Sequence, residues 1–222
     1  MGYRETIDYY RSRFCDANKN VIVEVDQNGD CHVLESPPSN LYINFLGIGN
    51  LVVYHRATKF TKCTVDIRNN NFIYFGKTRF DIYKLNIKAP QCQDGIIFFD
   101  DSFSCWSTTL RPSYKSSIIV GKDCQFSYGI TIWTSDGHAI FDSNGKLLNP
   151  DKDTIIGNHV WVGHAVEILK GVQIPDGCVI GAGALVTKSF TEKNSIIAGT
   201  PASIIKTNIR WERMSPHHFY GK

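Results

Sequence analysis

Between Ile156 and Phe190 apolar residues recur with a period of six. Aliphatic side chains stand at 156, 162, 168, 174, 180 and 186. The fifth place of each hexad holds Val160, Val166, Val172, Cys178, Ala184 and Phe190. Glycine takes the second place at Gly157, Gly163 and Gly181. A period of six fits neither a helix, at about 3.6, nor a plain strand, at about 2. It fits a chain that makes a short strand, turns by roughly a third of a circle and makes another, so that three hexads close one triangular coil. Inward residues then stack on their equivalents in the next coil, and the strands of each face pair in parallel.

The same frame continues upstream through Val120–Gly121, Phe126 and Ile132, with Cys124 and Ile130 at the fifth place. Further back it loosens. Val53, Lys59 and Val65 share a frame with Ala57 and Cys63, and Phe75–Gly76 and Phe99 mark further coils. The pattern predicts a β-solenoid over 41–200. Residues 134–154 carry no hexad and are rich in turn formers, which predicts a loop leaving the coil. Residues 84–95 read as a second insertion or an irregular corner. The segments VIVEV and CHVLE flank DQNGD, whose Asn-Gly favours a tight turn. A hairpin there would cap the open edge of the first coil, within an N-terminal cap of residues 1–40. Residues 3–14 read as a short helix. The tail 201–222, with Ile204, Ile205, Ile209 and Trp211, reads as a short helix packed on the last coil.

Composition narrows the class. The 222 residues are 42% hydrophobic and 20% charged, which describes a folded domain and not a disordered chain. No apolar run approaches the ~20 residues of a membrane span, and the N-terminus lacks the apolar stretch of a secretory signal. The seven cysteines are odd in number and scattered, with no CxxC pair, which points to reduced thiols and a cytoplasmic setting. The net charge of +3 is unevenly placed. Residues 1–190 balance their basic side chains against an equal number of acidic ones. The whole excess therefore lies in 191–222, on Lys193, Lys206, Arg210, Arg213 and Lys222 against Glu192 and Glu212. That is too little for a nucleic-acid surface, but it suits one small anionic ligand.

The run IIGNHVWVGHAVEILKGVQIPDGCVIGAGALVTKSF, followed by IIAGTPASIIK, resembles the C-terminal half of the left-handed β-helix hexapeptide acyltransferases. The resemblance is close over 155–206 and general over 1–117. It implies an all-β, left-handed parallel β-helix, acetyl-CoA as co-substrate, no metal, and a homotrimer with active sites at the subunit interfaces. The TSDGHAIFD loop, followed in the chain by the Trp of VWVG, looks most like the branch that O-acetylates sugars of bacterial surface polysaccharides, sialic acids included.

Acetyl transfer to a hydroxyl needs a base for the hydroxyl proton and a donor for the oxyanion of the tetrahedral intermediate. Of the histidines, His138 is the candidate base: it sits in the inserted loop and matches the family's catalytic position. Asp136, Asp142 or a backbone carbonyl could hold its second ring nitrogen. A loop histidine that merely caps a turn is the plainer alternative. Trp161 lies between two inward valines, so strand alternation points it outward. There it serves either a subunit interface or, through its indole N–H, the acceptor and thioester cleft. Trp133, at the strand end before the loop, is packing or an acceptor platform. For coenzyme A, small residues at the turns allow close approach along the coil edge. Gly163, Ala165, Gly181, Ala182 and Gly183 supply such residues for the pantetheine arm; the resemblance implies Thr187 and Lys188 near the pantetheine and phosphates and Pro201 and Ala202 beside the adenine, with Lys206 and then Arg210 as candidates to meet the phosphates. Glycines at hexad corners are also needed by the fold itself. No Ser-His-Asp set or nucleophile motif is present, which favours direct attack over an acyl-enzyme.

Other readings compete. Within the acyltransferases, the acceptor could instead be an antibiotic or a free sugar. In γ-class carbonic anhydrases the same scaffold holds zinc through three histidines, two of them five apart, as His159 and His164 are here, with His138 as a third. A non-enzymatic scaffold would leave His138, Trp161 and the AGTPA segment without a shared purpose. A nucleotidyltransferase would need a glycine-rich phosphate loop that residues 1–117 lack.

Overall fold

The computed structural model describes residues 2–220, so that Lys222 of the basic tail lies outside the described residues. The chain winds into a left-handed parallel β-helix with three sheets of eight, eight and seven strands. It visits three faces in turn. The first runs through Val21–Val25, Leu51–His55, Phe72–Phe75, Ile96–Phe99, Ser117–Val120, Thr154–Ile156 and Gln173–Ile174. The second holds Phe60–Thr61, Ile82–Tyr83, Ser104–Cys105, Gln125–Phe126, Trp161–Val162, Val179–Ile180 and Ile196–Gly199. The third holds Leu41–Phe45, Cys63–Asn69, Leu85–Gln93, Thr108–Arg111, Ile130–Trp133, Glu167–Ile168 and Leu185–Val186.

The hexad residues build the inside of this prism. Ile156, Val162, Ile168, Ile174, Ile180 and Val186 are all buried in one continuous core, as are Val160, Val166, Val172, Cys178 and Ala184. Each such large side chain contributes about 1.5–3 kcal/mol by leaving water. The glycine of the second place has a separate cause. A Cβ on Gly157 would stand 2.8 Å from the Asp176 nitrogen and 3.0 Å from the Ile174 oxygen. Successive coils approach too closely there for any side chain.

The hexad fades upstream because the coils widen. Ile156 registers with Ile174, which is three hexads on. Phe99 registers with Val120, and Phe75 with Phe99, and both intervals are longer than three hexads. Phenylalanines fill the wider section: Phe75 and Phe99 stack at 5.3 Å, and Phe99, Phe103 and Phe126 follow in contact. Two expectations for this region are corrected. The Val53–Lys59–Val65 frame is out of step. Val52 and Tyr54 point inward, Val53 points outward, and Lys59 and Ala57 do not join the core as a repeating pair, both being on the turn between faces. Residues 84–95 are neither loop nor insertion. Leu85–Gln93 is a strand of the third face whose Leu85, Ile87 and Ala89 alternate inward.

The N-terminal helix is present over Tyr3–Phe14, and it lays Ile7 and Tyr10 on the outward side of the first face against Val23, Val53, Phe72 and Phe98. The Asn28–Gly29 turn closes an antiparallel hairpin between Val21–Val25 and Cys31–Leu34. The second strand of that hairpin, and no further coil, ends the first sheet. The tail departs from expectation. Ala202–Lys206 is a strand, antiparallel to Ile196–Gly199, and the short helix is a 3₁₀ turn later on, at Pro216–Phe219. Between them the chain folds back over the second face, where Trp211 is buried.

Gly157→Ala should lower stability by about 1–3 kcal/mol through overpacking between coils. Thermal unfolding checks this, and an unchanged melting temperature would refute the close-approach account.

Candidate active site

The sequence 134–154 leaves the prism at the corner where the third face turns into the first. Its roots are fixed by small buried hydroxyls. The Thr154 hydroxyl donates to the Trp133 carbonyl (2.9 Å), and Thr134 Oγ1 accepts from the Ser113 N–H (2.8 Å) and lies 2.6 Å from Ser116 Oγ. Further out, Asn149 holds the two strands of the loop together. Its Oδ1 accepts from the Ile140 N–H (2.7 Å), and its Nδ2 donates to the His138 carbonyl and to Asp136 Oδ2, both at 2.8 Å. Lys170, from the next coil, reaches up to Asp136 Oδ2 (2.6 Å) and to the Asn149 carbonyl (2.8 Å). The Lys170 ammonium and the Asn149 amide hold the Asp136 carboxyl below the usual carboxylate range.

His138 thus sits on a firmly held backbone with its imidazole exposed, and the ring makes no hydrogen bond among the described residues. Neither carboxylate expected beside it is available: Asp136 is engaged by Lys170 and Asn149, and Asp142 accepts the Asn144 and Lys146 N–H groups of the loop's own turn. The ring opens on a cleft of about 480 Å³, lined also by Tyr114, Lys115 and Asp151. Asn149 and Lys170 carry no motif; only the Asn149–Pro150 turn signal hinted at the first.

Trp161 points outward from the second face, as alternation predicts, at 39% exposure, in register with Gln125 and Val179. It neighbours Trp211 of the returning tail at 6.1 Å and lines a cavity of about 590 Å³ with Arg210, Trp211 and Met214. The second face lies opposite the corner that carries the loop, and the His138 and Trp161 clefts share no lining residue. One chain does not bring the two side chains together.

The residues expected near coenzyme A divide between places. Ala165, Gly181, Ala182 and Pro201 follow strands of the second face, at its turn into the third. Ala165 and Gly183 there take left-handed φ angles of +53° and +70°, which the turn itself requires. Gly163 is buried, and an added Cβ would meet the Ala182 nitrogen at 2.8 Å, so its glycine is explained by coil packing. Ala202 is likewise turned into the core. Thr187 and Lys188 follow the last strand of the third face, two coils beyond the root of the loop. Lys206 is exposed opposite Ile196, at the far end of its strand, and Arg210 pairs with Glu212.

Two residues carry weight that the charge count did not reveal. Arg213 directs its guanidinium at five oxygens: Asp123 Oδ1, Ser104 Oγ, Gln125 Oε1 and the carbonyls of Ser102 and Cys124, at 2.9–3.1 Å. His159 stacks on Trp211 at 4.1 Å, and its ring nitrogens meet Asp123 Oδ2 (2.7 Å) and the Trp211 carbonyl (3.2 Å). Both nitrogens are thereby occupied, which removes His159 from the three-histidine zinc set. No group of three potential metal ligands occurs among the described residues.

Comparison with known proteins agrees with this architecture. Residues 153–188 match the family model for bacterial transferase hexapeptide (six repeats). A polysialic acid O-acetyltransferase of Neisseria meningitidis is 34% identical over 79% of this chain and 81% of its own length. Among solved structures, the polysialic acid O-acetyltransferase OatWY superposes with a TM-score of 0.65 at 32% identity, covering 79% of this chain and 93% of that one. The polySia-specific acetyltransferase NeuO gives 0.68 at 28%, covering 90% and 83%. With both the repeat and the relatives in agreement, the chain belongs to the hexapeptide-repeat acyltransferase family, on its O-acetyltransferase branch.

Proposed function

We propose that this protein moves an acetyl group from acetyl-CoA to a hydroxyl of a sugar in a bacterial surface glycan, sialic acid being the favoured acceptor. The observation that carries the reading is the exposed imidazole of His138, mounted on a loop that Asn149 and Lys170 hold in place. The O-acetyltransferase relatives and their named polysialic acid acceptor support the substrate class.

In the proposed reaction His138 accepts the hydroxyl proton as the sugar oxygen attacks the thioester carbonyl. The indole N–H of Trp161 stabilises the oxyanion so formed. Collapse breaks the carbon–sulfur bond, and the imidazolium returns its proton to the departing thiolate. Because His138 and Trp161 lie on opposite sides of one prism, the site is completed between two copies, in a homotrimer. The exposed Ile140, Phe141, Leu147 and Leu148 at the loop supply an apolar surface for that contact. Coenzyme A lies along the small-residue corner of Ala165, Ala182 and Pro201, with Lys206 and Lys188 as phosphate partners.

His138→Ala should lower kcat by about 10²–10⁴ with coenzyme A affinity retained. Steady-state kinetics beside a coenzyme A titration checks it, and near-normal turnover would sink the base assignment. Trp161→Ala should impair kcat while the trimer persists in sedimentation; normal turnover by an intact trimer would make it a packing residue only. Lys170→Met should cut kcat roughly tenfold by loosening the loop, with little change in melting temperature. The Asp136 carboxyl is depressed, so its pair with Lys170 is complete above the ordinary carboxylate pKa of about 4 and is lost as pH falls through the lowered value. Loop proteolysis should therefore rise on acidification in the wild type and show no such rise in the Lys170→Met variant.

A further inference from the structure

Beside the His138 cleft, the third face carries a column of side chains that the proposed mechanism leaves unused. Pairing in register places Arg111 next to Trp133, and through the Leu110–Ile87 pair it places Lys88 on the rung below Arg111. All three therefore stand on adjacent rungs, roughly 4.8 Å apart, as strand spacing dictates. The Arg111 guanidinium lies 4.8 Å from the centroid of the Trp133 ring. Neither Arg111 nor Lys88 forms an ion pair or a side-chain hydrogen bond among the described residues. Lys88 is exposed and Arg111 half-buried. A cleft of about 220 Å³ runs over Lys88, Arg111 and Trp133, and it shares Gln91, Ser113, Ser135 and Gly137 with the cleft of His138. The two form one continuous groove. Lys115 adds a third cation at its His138 end. The carboxylates near this groove are Asp151, in its wall, Asp66, on the rung beyond Lys88, and Asp136, between Ser135 and Gly137 and paired with Lys170.

Two unpaired cations on successive rungs stand out in a stretch, 1–190, that is neutral overall. The indole supports Arg111 from one side, and the guanidinium N–H groups make no hydrogen bond among the described residues, so the fork is open to bind a carboxylate through two parallel hydrogen bonds. We infer that Arg111 and Lys88 recognise the carboxylates of an acidic glycan, and that Trp133 supports Arg111 so that the neighbouring sugar hydroxyl reaches His138. This rests on the acetyl-transfer reading above and deepens it: the acceptor is selected for its negative charge, on one wall of the site, by residues that take no part in the chemistry.

The test compares two acceptors with acetyl-CoA: an oligomer of sialic acid, and the same oligomer with its carboxylates converted to methyl esters. Acetyl transfer by the wild type should favour the acid over the ester by about tenfold or more in kcat/KM, mainly through KM. Arg111→Gln and Lys88→Gln should each shrink that preference severalfold and flatten its dependence on salt. If the wild type acetylates ester and acid equally, or if both variants keep the full preference, carboxylate recognition at this column is refuted while acetyl transfer stands. If the wild type acetylates neither oligomer nor any other surface glycan, both readings fall.

Discussion

Everything in this molecule depends on one spacing, the distance at which a strand on one coil pairs with its equivalent on the next. Because the strands pair in parallel and in register, each inward residue stacks on its equivalent in the next coil, and in the last coils the two are of similar size. Ile156 sits over Ile174, Val162 over Ile180 and Ile168 over Val186. At the corners, backbone meets backbone, which excludes a Cβ at Gly157 and Gly163. The polar side chains that do enter the fold obey the same rule. Asn50 and Asn71 are buried on successive coils and are linked to each other and to neighbouring carbonyls, so that neither buried amide is left unpaired. The loop of His138 leaves the prism at this same corner.

What was legible in the sequence follows from how strictly that spacing is kept. From Ile156 to Val186 each coil is three hexads long and keeps aliphatic residues at one place, so the period is plain. The wider coils accept Phe75, Phe99, Phe103 and Phe126, whose rings fill space at irregular intervals, so the frame drawn through Val53 and Lys59 slipped by one position. The alternation of Leu85, Ile87 and Ala89 was a readable strand signal, obscured by Pro90 and by the expectation of hexads. Near the candidate site, the place of His138 on a loop leaving the coil and the outward aim of Trp161 could be read from the chain, one from the break in the hexads and the other from alternation. The roles of Asn149, Lys170 and Arg213 could not. Asn149 meets Ile140 and Asp136 across the loop, Lys170 reaches it from another coil, and Arg213 meets partners 88–111 residues earlier in the chain. No local pattern encodes such meetings.

The division of labour between the faces has a simple physical basis. A solenoid is a rod with three flat sides, and the clefts of one chain at His138 and at Trp161 share no lining residue. It can only offer edges and walls: a held loop at one corner, an outward tryptophan on the opposite face, and a charged column beside the loop. In the proposed reaction a second prism alongside the first completes the enclosure. Rigidity favours this arrangement, since each wall arrives already ordered and little freedom is lost when two walls meet.

The clasp made by Arg213 also bears on the order in which the molecule is completed. Its five oxygen partners lie on the coils of residues 102–125, whereas Trp211, just before it in the chain, locks onto His159. The tail is therefore a strap laid lengthwise across coils that were each closed by their own neighbours. It can seat only when the rungs of Ser104, Gln125 and Trp161 pair in register, because a slipped rung would move His159 away from the oxygens that receive Arg213. Seating of the strap therefore reports the pairing of those rungs, and the wall beside Trp161, which Trp211 and Met214 help to form, is complete only where Ser104, Gln125 and Trp161 stand on successive rungs.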